Sequence, residues 1–538
     1  MNADKVIRGN AIFNSIDEKP FKGAVVIDKN RIVDVLKDSD GSEYIGADTQ
    51  VIEAGDRTVM AGLNDNHVHF LLTGLFSTYP NLEDATSAEE TARIVKDAAD
   101  KMEDKSGWML GSGWHQAFWD NPVYPTKELL DKYFPNRPVC LIHSEYHGAW
   151  VNSKALEMCG INKDTPNPSK SIVVDENGEP TGFLMDSAVG LVTKVAFDFD
   201  EEKEKEILRK ALALFAKFGI TSITDVQPLW HGDIGHIDVY SQLEKASELT
   251  ARIHVAPSIT NDLDEVLEWN KKYGSEKITV NTVKQFLDGI PTSHTALLLE
   301  EYTDAPGDFG TAPYDYEGYC AKVEEAHKRG LSVKFHSTGD RSARLALDAY
   351  ENAVKKYGDN GCRHCVEHCE LVSPEDLKRF GKTAGYASVQ PEAIGLTTTF
   401  EANPYHIVFG RERAATTWSF KAMLDSAGVI AIGSDAPTVD IDPALEVYRA
   451  VTRLHDDGKP EGGWNPTQKL TVYETLRGFT YGSAFMCRLE DELGTLEKGK
   501  FADVIILDRN LFDCPDEDLH HFKTVMTIMD GNIIYNKM

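Results

Sequence analysis

The stretch TVMAGLNDNHVHF, residues 58–70, contains the most informative pattern of the chain. Its apolar beginning predicts a buried strand, and side chains at positions i and i+2 of a strand point to the same face. We therefore expect His67 and His69 to reach one point in space, which suits a metal ion. A lone His-x-His pair is weak evidence, because neutral histidines also occur in cores and loops. The interpretation needs further donors at other strand ends.

Three further runs end on a nitrogen or oxygen donor. Residues 331–336 form an alternating run that ends at His336, and His368 follows a helix predicted to end near residue 358. The apolar run 427–435 closes on the carboxylate of Asp435. Parallel barrels present their ligands at the carboxyl ends of successive strands. The spacing of these runs is compatible with repeated strand and helix units, so the predicted class is α/β.

Together with Lys284, this ordered set of donors resembles that of the metal-dependent amidohydrolase superfamily. Trp114 and the segments 147–156, 284–289 and 433–435 are similar to the branch that includes the N-substituted formamide deformylases. The resemblance runs nearly from end to end of the chain. It implies a TIM-like (β/α)8 barrel with a composite β-sandwich formed by both termini.

The resemblance also implies a centre for one or two divalent ions, with Zn²⁺ as the first choice. Imidazole and carboxylate ligands suit zinc, manganese, iron or cobalt, so the residues alone do not choose the metal. Asp435 and His336 are the expected catalytic residues, with Asp435 as general acid and base. The implied ligands are His67, His69, Lys284, His336, His368 and Asp435.

Lys284 follows the β-rich run 278–283. A free lysine amine has a pKa near 10.4, and its ammonium form repels a cation. In the resembling enzymes the equivalent lysine reacts with CO2 to give a carbamate that bridges two ions. The resemblance therefore implies a carboxylated Lys284. The alternative without a metal-binding role is an ordinary surface or salt-bridged lysine.

Substrate contacts are expected from three residues, Trp114, His147 and Gln390. Ligand sites are commonly lined by aromatic side chains with a few polar groups. Relatives often carry a histidine just after the Gln-Pro pair that begins at Gln390, but Glu392 follows that pair here. This departure makes it unsafe to transfer a substrate from any relative.

The function implied is hydrolysis of a non-peptide C–N bond in a small N-substituted or cyclic amide by metal-activated water. A lactone or phosphoester hydrolase using the same site is one alternative. Phosphate substrates favour Arg or Lys at the site, and the sequence does not place Lys334, Arg411 or Arg413 there. A noncatalytic scaffold is a second alternative, which loss of ligands would favour, and no ligand is lost.

The predicted domains are a β-sandwich contributed by residues 1–58 and 495–538 and a barrel spanning 59–494. Both ends of the chain contain short β-rich runs separated by turns. The stretch between His69 and about residue 220 exceeds what one barrel helix requires, with helices predicted near 87–102 and 201–218. An insertion at roughly 75–215 over the barrel mouth is therefore expected.

The chain has 538 residues, with 86 acidic against 56 basic side chains and a formal net charge of −30. Nucleic-acid binding needs basic patches, so this charge argues against such a partner. No apolar stretch is long enough to cross a membrane, and no export signal is apparent, so a cytoplasmic location is expected. A small molecule is the expected partner, and the oligomeric state stays open, with a homodimer as one candidate.

The eight cysteines are too irregularly spaced to predict a disulfide framework. Cys362 and Cys365 form a C-x-x-C pair, but a structural zinc site usually needs a second ligand pair elsewhere. We interpret these cysteines and Cys369 as small buried residues around the strand that carries His368. His364 is a candidate hydrogen-bonding neighbour of the centre.

Overall fold

The structure is a computed structural model that describes residues 2–103, 105, 107–116, 119–168, 170–229, 232–312, 315–395, 397 and 399–538. Its strands are β1 (Lys5–Phe13), β2 (Phe21–Asp28), β3 (Arg31–Lys37), β4 (Gln50–Ala61), β5 (Leu63–Val68), β6 (Met109–Trp114), β7 (Val139–His143), β8 (Gly148–Val151), β9 (Ile172–Val174), β10 (Pro180–Met185), β11 (Ile220–Val226), β12 (Pro228–Leu229), β13 (Gly232–Asp233), β14 (Arg252–Ala256), β15 (Ile278–Thr279), β16 (Thr282–Phe286), β17 (Ser332–Ser337), β18 (His364–His368), β19 (Gly385–Val389), β20 (Ala431–Ile432), β21 (Val504–Leu507), β22 (Thr524–Met529) and β23 (Asn532–Asn536).

The α-helices are α1 (Phe70–Phe76), α2 (Ala88–Lys101), α3 (Lys127–Tyr133), α4 (Ser153–Met158), α5 (Val189–Ala196), α6 (Glu201–Phe218), α7 (Ile237–Lys245), α8 (Leu263–Tyr273), α9 (Tyr316–Lys328), α10 (Asp340–Tyr357), α11 (Pro374–Leu377), α12 (Tyr405–Val408), α13 (Gly410–Ala414), α14 (Phe420–Ala427), α15 (Pro443–Thr452), α16 (Val472–Arg477) and α17 (Ser483–Met486). The predicted helices at 87–102 and 201–218 correspond to α2 and α6. The side chain of Ser87 caps α2 by accepting a hydrogen bond from the backbone N–H of Glu90.

Both chain termini enter one seven-stranded sheet, in the order β23-β22-β21-β4-β1-β2-β3. The strand β4 joins the two halves, because it pairs in parallel with β1 and antiparallel with β21. One apolar cluster combines residues of both termini, among them Ile7, Val59 and Ile506. Both termini thus contribute strands to one sheet, and the composite β-sandwich stays a prediction.

The middle of the chain forms two further sheets whose paired strands all run parallel. One has the order β16-β17-β18-β19-β20 and the other β15-β14-β11-β5. The backbone N–H of Asp435, which lies beyond the end of β20, donates to the carbonyl of His67 in β5 at 2.7 Å. A parallel bridge between Ser258, just after β14, and Lys284 in β16 links the two sheets a second time. The α/β class is confirmed.

Strand lengths differ from the expectation at two donors. The strand before Asp435 covers only Ala431–Ile432, because Gly428 ends α14 with a left-handed backbone (φ 73°) instead of extending the run. Lys284 lies inside β16, Thr282–Phe286, and not after a strand. The expected run 278–283 is therefore divided between β15 and β16.

The chain divides into two compact units, one of which comprises residues 70–211 and 228–235. This unit contains the sheet β6-β7-β8-β10-β9. Its apolar core is rich in tryptophan, including Trp114, Trp119 and Trp150. The other unit contains the terminal sheet and the two parallel sheets.

No helix formed by the described residues combines the length and the apolar character needed to cross a bilayer.

Candidate metal centre

The ends of β5 and β20 bring two imidazoles to one carboxylate. The Nε2 atoms of His67 and His69 lie 3.3 and 3.5 Å from Oδ1 of Asp435. Ligand atoms about 2.0–2.1 Å from a tetrahedral ion are separated by about 3.4 Å, so these spacings suit a shared metal. All three residues belong to a group whose ligand atoms lie within 4.8 Å of one another. The predicted convergence of His67, His69 and Asp435 is present in the structure.

The rings of His336 and His368 lie beside this group. The ring centroid of His368 is 4.9 Å from that of His67 and 4.3 Å from that of His336. The Nε2 atom of His368 is buried and has no hydrogen-bond partner among the residues that the structure describes. Nε2 of His336 lies 3.0 Å from the carbonyl oxygen of Gly289, which makes it the donor nitrogen. A cation fits the unpartnered nitrogen of His368.

Lys284 is buried near the same centre. Its Nζ lies 5.3 Å from the ring centroid of Phe286, which is 4.8 Å from the ring centroid of His336. Burial lowers the pKa of Lys284 itself to about 8. The amine therefore loses its proton more readily than an exposed lysine does, and its neutral form is the one that can bind CO2 or a metal.

Burial and charge set the remaining protonation states in favour of cation binding. Burial lowers the pKa of His69 and lowers that of His368 to about 3, so both rings are neutral and can donate lone pairs. For Asp435 burial opposes ionisation, but the nearby rings of His67 and His69 hold its pKa well below the usual value. The centre thus combines neutral imidazoles with an ionised carboxylate.

The backbone is strained where two donors leave their strands. His368 and Asp435 have φ angles of 71° and 62°, a left-handed conformation that non-glycine residues seldom adopt. At Gly433 a Cβ atom would lie 2.4 Å from the backbone nitrogen of His67, so no side chain fits there. Asp65 stabilises the contact between β5 and the segment after β20, because it accepts hydrogen bonds from the hydroxyl and the N–H of Ser434.

Glu367 is a functional candidate that the sequence reasoning did not identify. Its carboxylate is fully buried, with one oxygen 2.6 Å from Nδ1 of His67 and the other 3.0 Å from Nζ of Lys334. Burial opposes ionisation, but the charge of Lys334 and the contact with His67 hold the pKa of Glu367 far below its usual value. Nδ1 of His67 is therefore the donor nitrogen, which leaves Nε2 free to ligate a metal. A glutamate directly before the expected ligand His368 was the available signal.

Asp288 is a second residue that was missed. Its buried carboxylate accepts hydrogen bonds from the N–H groups of Leu297 and Gly339 and from the hydroxyl of Ser342. Burial raises its pKa to about 7. These contacts hold the turn that follows β17, which carries His336.

The three expected substrate contacts occupy different surroundings. Gln390 follows β19, and both polar atoms of its buried amide lack a hydrogen-bond partner within the described part of the chain. His147 is partly exposed, and its Nδ1 lies 3.1 Å from a carboxylate oxygen of Asp186. Trp114 is fully buried, and its indole N–H donates to the carbonyl of Leu141. A substrate contact by Trp114 stays a prediction, to which its burial gives no support.

The cations considered for a phosphate site are all engaged elsewhere. Lys334 is buried against Glu367, and Arg411 pairs with Glu401 at 2.6 Å. Arg413 donates to the backbone carbonyl of Glu301 at 2.8 Å.

The cysteines near β18 fit the interpretation of small buried residues, because Cys362, Cys365 and Cys369 are buried free thiols. His364 lies 3.0 Å from the ring of His327 and accepts a hydrogen bond from the N–H of Val333. Its ring therefore supports the strand framework.

A model of the amidohydrolase family matches residues 50–535 of the chain. Protein LONG AFTER FAR-RED 3 from Arabidopsis thaliana is 30% identical over 99% of this chain and 92% of its own length. The N-substituted formamide deformylase of Arthrobacter pascens is 23% identical over 96% of this chain and 95% of its own length. The crystal structure of an uncharacterized metal-dependent hydrolase from Pyrococcus horikoshii matches with a TM-score of 0.77 and 24% identity, over 96% of this chain and 100% of that one.

Proposed function

We propose that this chain, which belongs to the amidohydrolase family, hydrolyses a non-peptide C–N bond of a small N-substituted or cyclic amide. Family membership makes it a metal-dependent hydrolase acting on C–N bonds. The observation that carries the proposal is the convergence of His67, His69 and Asp435 at 3.3–3.5 Å, with His368 beside them. The relative named a formamide deformylase supports an N-substituted amide as the substrate class.

The proposed architecture is a (β/α)8 barrel closed by the two parallel sheets, with domain bounds at 1–58, 59–494 and 495–538 and an insertion at roughly 75–215. The hydrogen bond from Asp435 to His67 and the bridge between Ser258 and Lys284 support closure, because they connect the two sheets at two separate places. Donors at the strand ends would then share the carboxyl face of the barrel.

In this proposal the chain holds one or two divalent ions, with Zn²⁺ as the first choice. His67, His69 and Asp435 would hold one ion, while His336 and His368 would hold the other. Lys284, carboxylated by CO2, would join them. A bound divalent ion lowers the pKa of a water molecule toward neutrality and polarises the amide carbonyl.

Asp435 has the proton-transfer role. Its carboxylate is ionised and partly buried beside the two imidazoles, so it can accept the proton of the attacking water. It then delivers that proton to the leaving nitrogen as the C–N bond breaks. The unpartnered amide of the expected substrate contact Gln390 can donate to an amide oxygen and accept from an amide N–H, which favours an amide substrate over an ester.

The lactone and phosphoester alternatives use the same centre. Phosphoester hydrolysis has less support, because Lys334, Arg411 and Arg413 are engaged with carboxylates and carbonyls. A scaffold without catalysis would tolerate loss of ligands, and all six donors are present.

A substrate screen with the zinc-loaded protein tests the proposal. N-substituted formamides and cyclic amides are compared with lactones and phosphoesters, and release of acid or amine is measured. The expected result is turnover of at least one amide and loss of 10²- to 10⁴-fold, roughly the general acid–base contribution, in Asp435→Asn. Asp440→Asn, an exposed aspartate on the same loop, is the matched control and keeps activity. Turnover by Asp435→Asn equal to that of the control would refute the assigned role.

A further inference from the structure

A second group of metal-ligating side chains lies in the unit formed by residues 70–211 and 228–235. It consists of His115, His143 and Glu145, whose ligand atoms lie within 4.8 Å of one another. Nε2 of His115 is 3.7 Å, and Nδ1 of His143 is 3.8 Å, from Oε2 of Glu145. The two imidazole centroids are 4.4 Å apart. This group shares no residue with the centre at His67, His69 and Asp435.

The strand topology brings these three residues together. The parallel strands β6 and β7 pair so that Trp114 lies opposite His143. His115 directly follows β6, His143 is the last residue of β7, and Glu145 lies in the next turn. The N–H of Ser144 donates to the carbonyl of Trp114 at 3.1 Å, which ties the two strand ends. Donors at adjacent ends of parallel strands are thus held at a fixed separation.

Hydrogen bonds define which nitrogen of His143 can bind a cation. Nε2 lies 3.0 Å from the side-chain oxygen of Gln116 and is assigned as the donor. Nδ1 accepts the backbone N–H of Glu145 at 3.2 Å, so it carries the lone pair. Burial lowers the pKa of His143 well below its usual value and also lowers that of His115. A ligating imidazole is typically neutral and held through its other nitrogen in this way.

The spacing and the donor types point to one class of ion. Ligands of a tetrahedral zinc lie about 3.4 Å apart, and the two separations from Glu145 exceed this value by a few tenths of an ångström. Magnesium and calcium prefer oxygen ligands, whereas two imidazoles and a carboxylate suit zinc.

We propose that His115, His143 and Glu145 bind a Zn²⁺ ion that cross-links the ends of β6 and β7. Three protein ligands leave a fourth position for water. The ion replaces the weak contact between Nδ1 of His143 and the N–H of Glu145. The ion would join the ends of two strands that already pair in parallel.

The test counts zinc equivalents in the full-length protein after metal removal. Zinc is added in competition with a chromophoric chelator, and bound metal is measured after gel filtration. We expect His115→Ala and the nearly isosteric Glu145→Gln to bind one equivalent fewer than wild type, or to bind it at least tenfold more weakly. The zinc-dependent rise in melting temperature should shrink in the same two variants.

Two controls separate this site from other zinc sites. His520 and His521 are adjacent, with ring centroids 3.7 Å apart, and form a candidate for adventitious binding. The double variant His520→Gln, His521→Gln should bind as many equivalents as wild type. A chain with His69→Asn and Asp435→Asn should still bind zinc, and it should lose one equivalent when Glu145→Gln is added.

The proposal is overturned if Glu145→Gln binds zinc with the stoichiometry and affinities of wild type. It is equally overturned if the chain with His69→Asn and Asp435→Asn binds no zinc while circular dichroism shows it folded. In either case His115, His143 and Glu145 are close neighbours that bind no metal. Neither result bears on amide hydrolysis at the other centre.

Discussion

Replacing Glu367 with glutamine tests whether this buried carboxylate prepares His67 for metal binding. The carboxylate is fully buried and 2.6 Å from Nδ1 of His67. A neutral amide oxygen accepts a weaker hydrogen bond, so the ring becomes a poorer ligand and is held less firmly. Losing the hydrogen-bond acceptor of a metal-ligating histidine typically lowers metal affinity by about 10- to 100-fold. The zinc dissociation constant should therefore rise by this factor, about 1.4 to 2.7 kcal/mol.

Lys334→Met is the matched control because it breaks the same buried pair from the other side. Nζ of Lys334 is 3.0 Å from the second oxygen of Glu367. Removing either partner leaves an uncompensated buried charge, which costs about 3–5 kcal/mol of folding stability. Both variants should therefore melt at lower temperature than wild type. Only Glu367→Gln should lose zinc affinity, because Lys334→Met keeps the hydrogen bond between the Glu367 carboxylate and His67.

Zinc affinity is measured by chelator competition on metal-stripped protein, and stability by thermal unfolding of the same samples. The reasoning fails if Glu367→Gln binds zinc as tightly as wild type. It fails also if Lys334→Met loses zinc affinity to the same extent, since the loss would then follow from destabilisation alone.

Three further outcomes are expected. Lys284→Ala should lose one zinc equivalent together with turnover. The wild-type protein should lose activity in CO2-depleted buffer and regain it when bicarbonate is added. Full activity of Lys284→Ala would exclude a bridging lysine. Gly433→Ala should weaken zinc binding and cost about 1–3 kcal/mol of stability, because its Cβ would lie 2.4 Å from the nitrogen of His67; unchanged zinc affinity would show that the junction adapts freely. Trp114→Ala should cost about 3–5 kcal/mol of stability, because the ring is fully buried, and should leave the zinc content unchanged; a change in KM without destabilisation would instead indicate a substrate contact.

The positions of the four candidate histidine donors could be predicted because each follows a local pattern. His67 and His69 occupy alternate positions near the end of an apolar run, and His336 and His368 lie at the ends of β17 and β18. Alternation in a strand is a property of neighbouring residues, so it is readable without the fold. The same reasoning predicted too long a strand before Asp435, because Gly428 ends the preceding helix and the strand begins only at Ala431.

The residues that prepare the donors could not be predicted, because their partners are distant in sequence. Glu367 contacts His67 across 300 positions, and Lys334 reaches Glu367 because β17 and β18 pair in parallel. The aromatic ring of Trp114 resembles a pocket residue in sequence, but neighbouring strands and tryptophans enclose it completely. Burial is a property of the packed chain.

The sequence by itself determined the α/β class, the family and the donors at strand ends, because these depend on local periodicity and on motif residues. Only the tertiary structure decided which carboxylate orients His67 and which tryptophan is enclosed. It also decided that His115, His143 and Glu145 meet. The physical reason is that a contact between side chains depends on strand register and packing, which bring together residues that no local pattern connects.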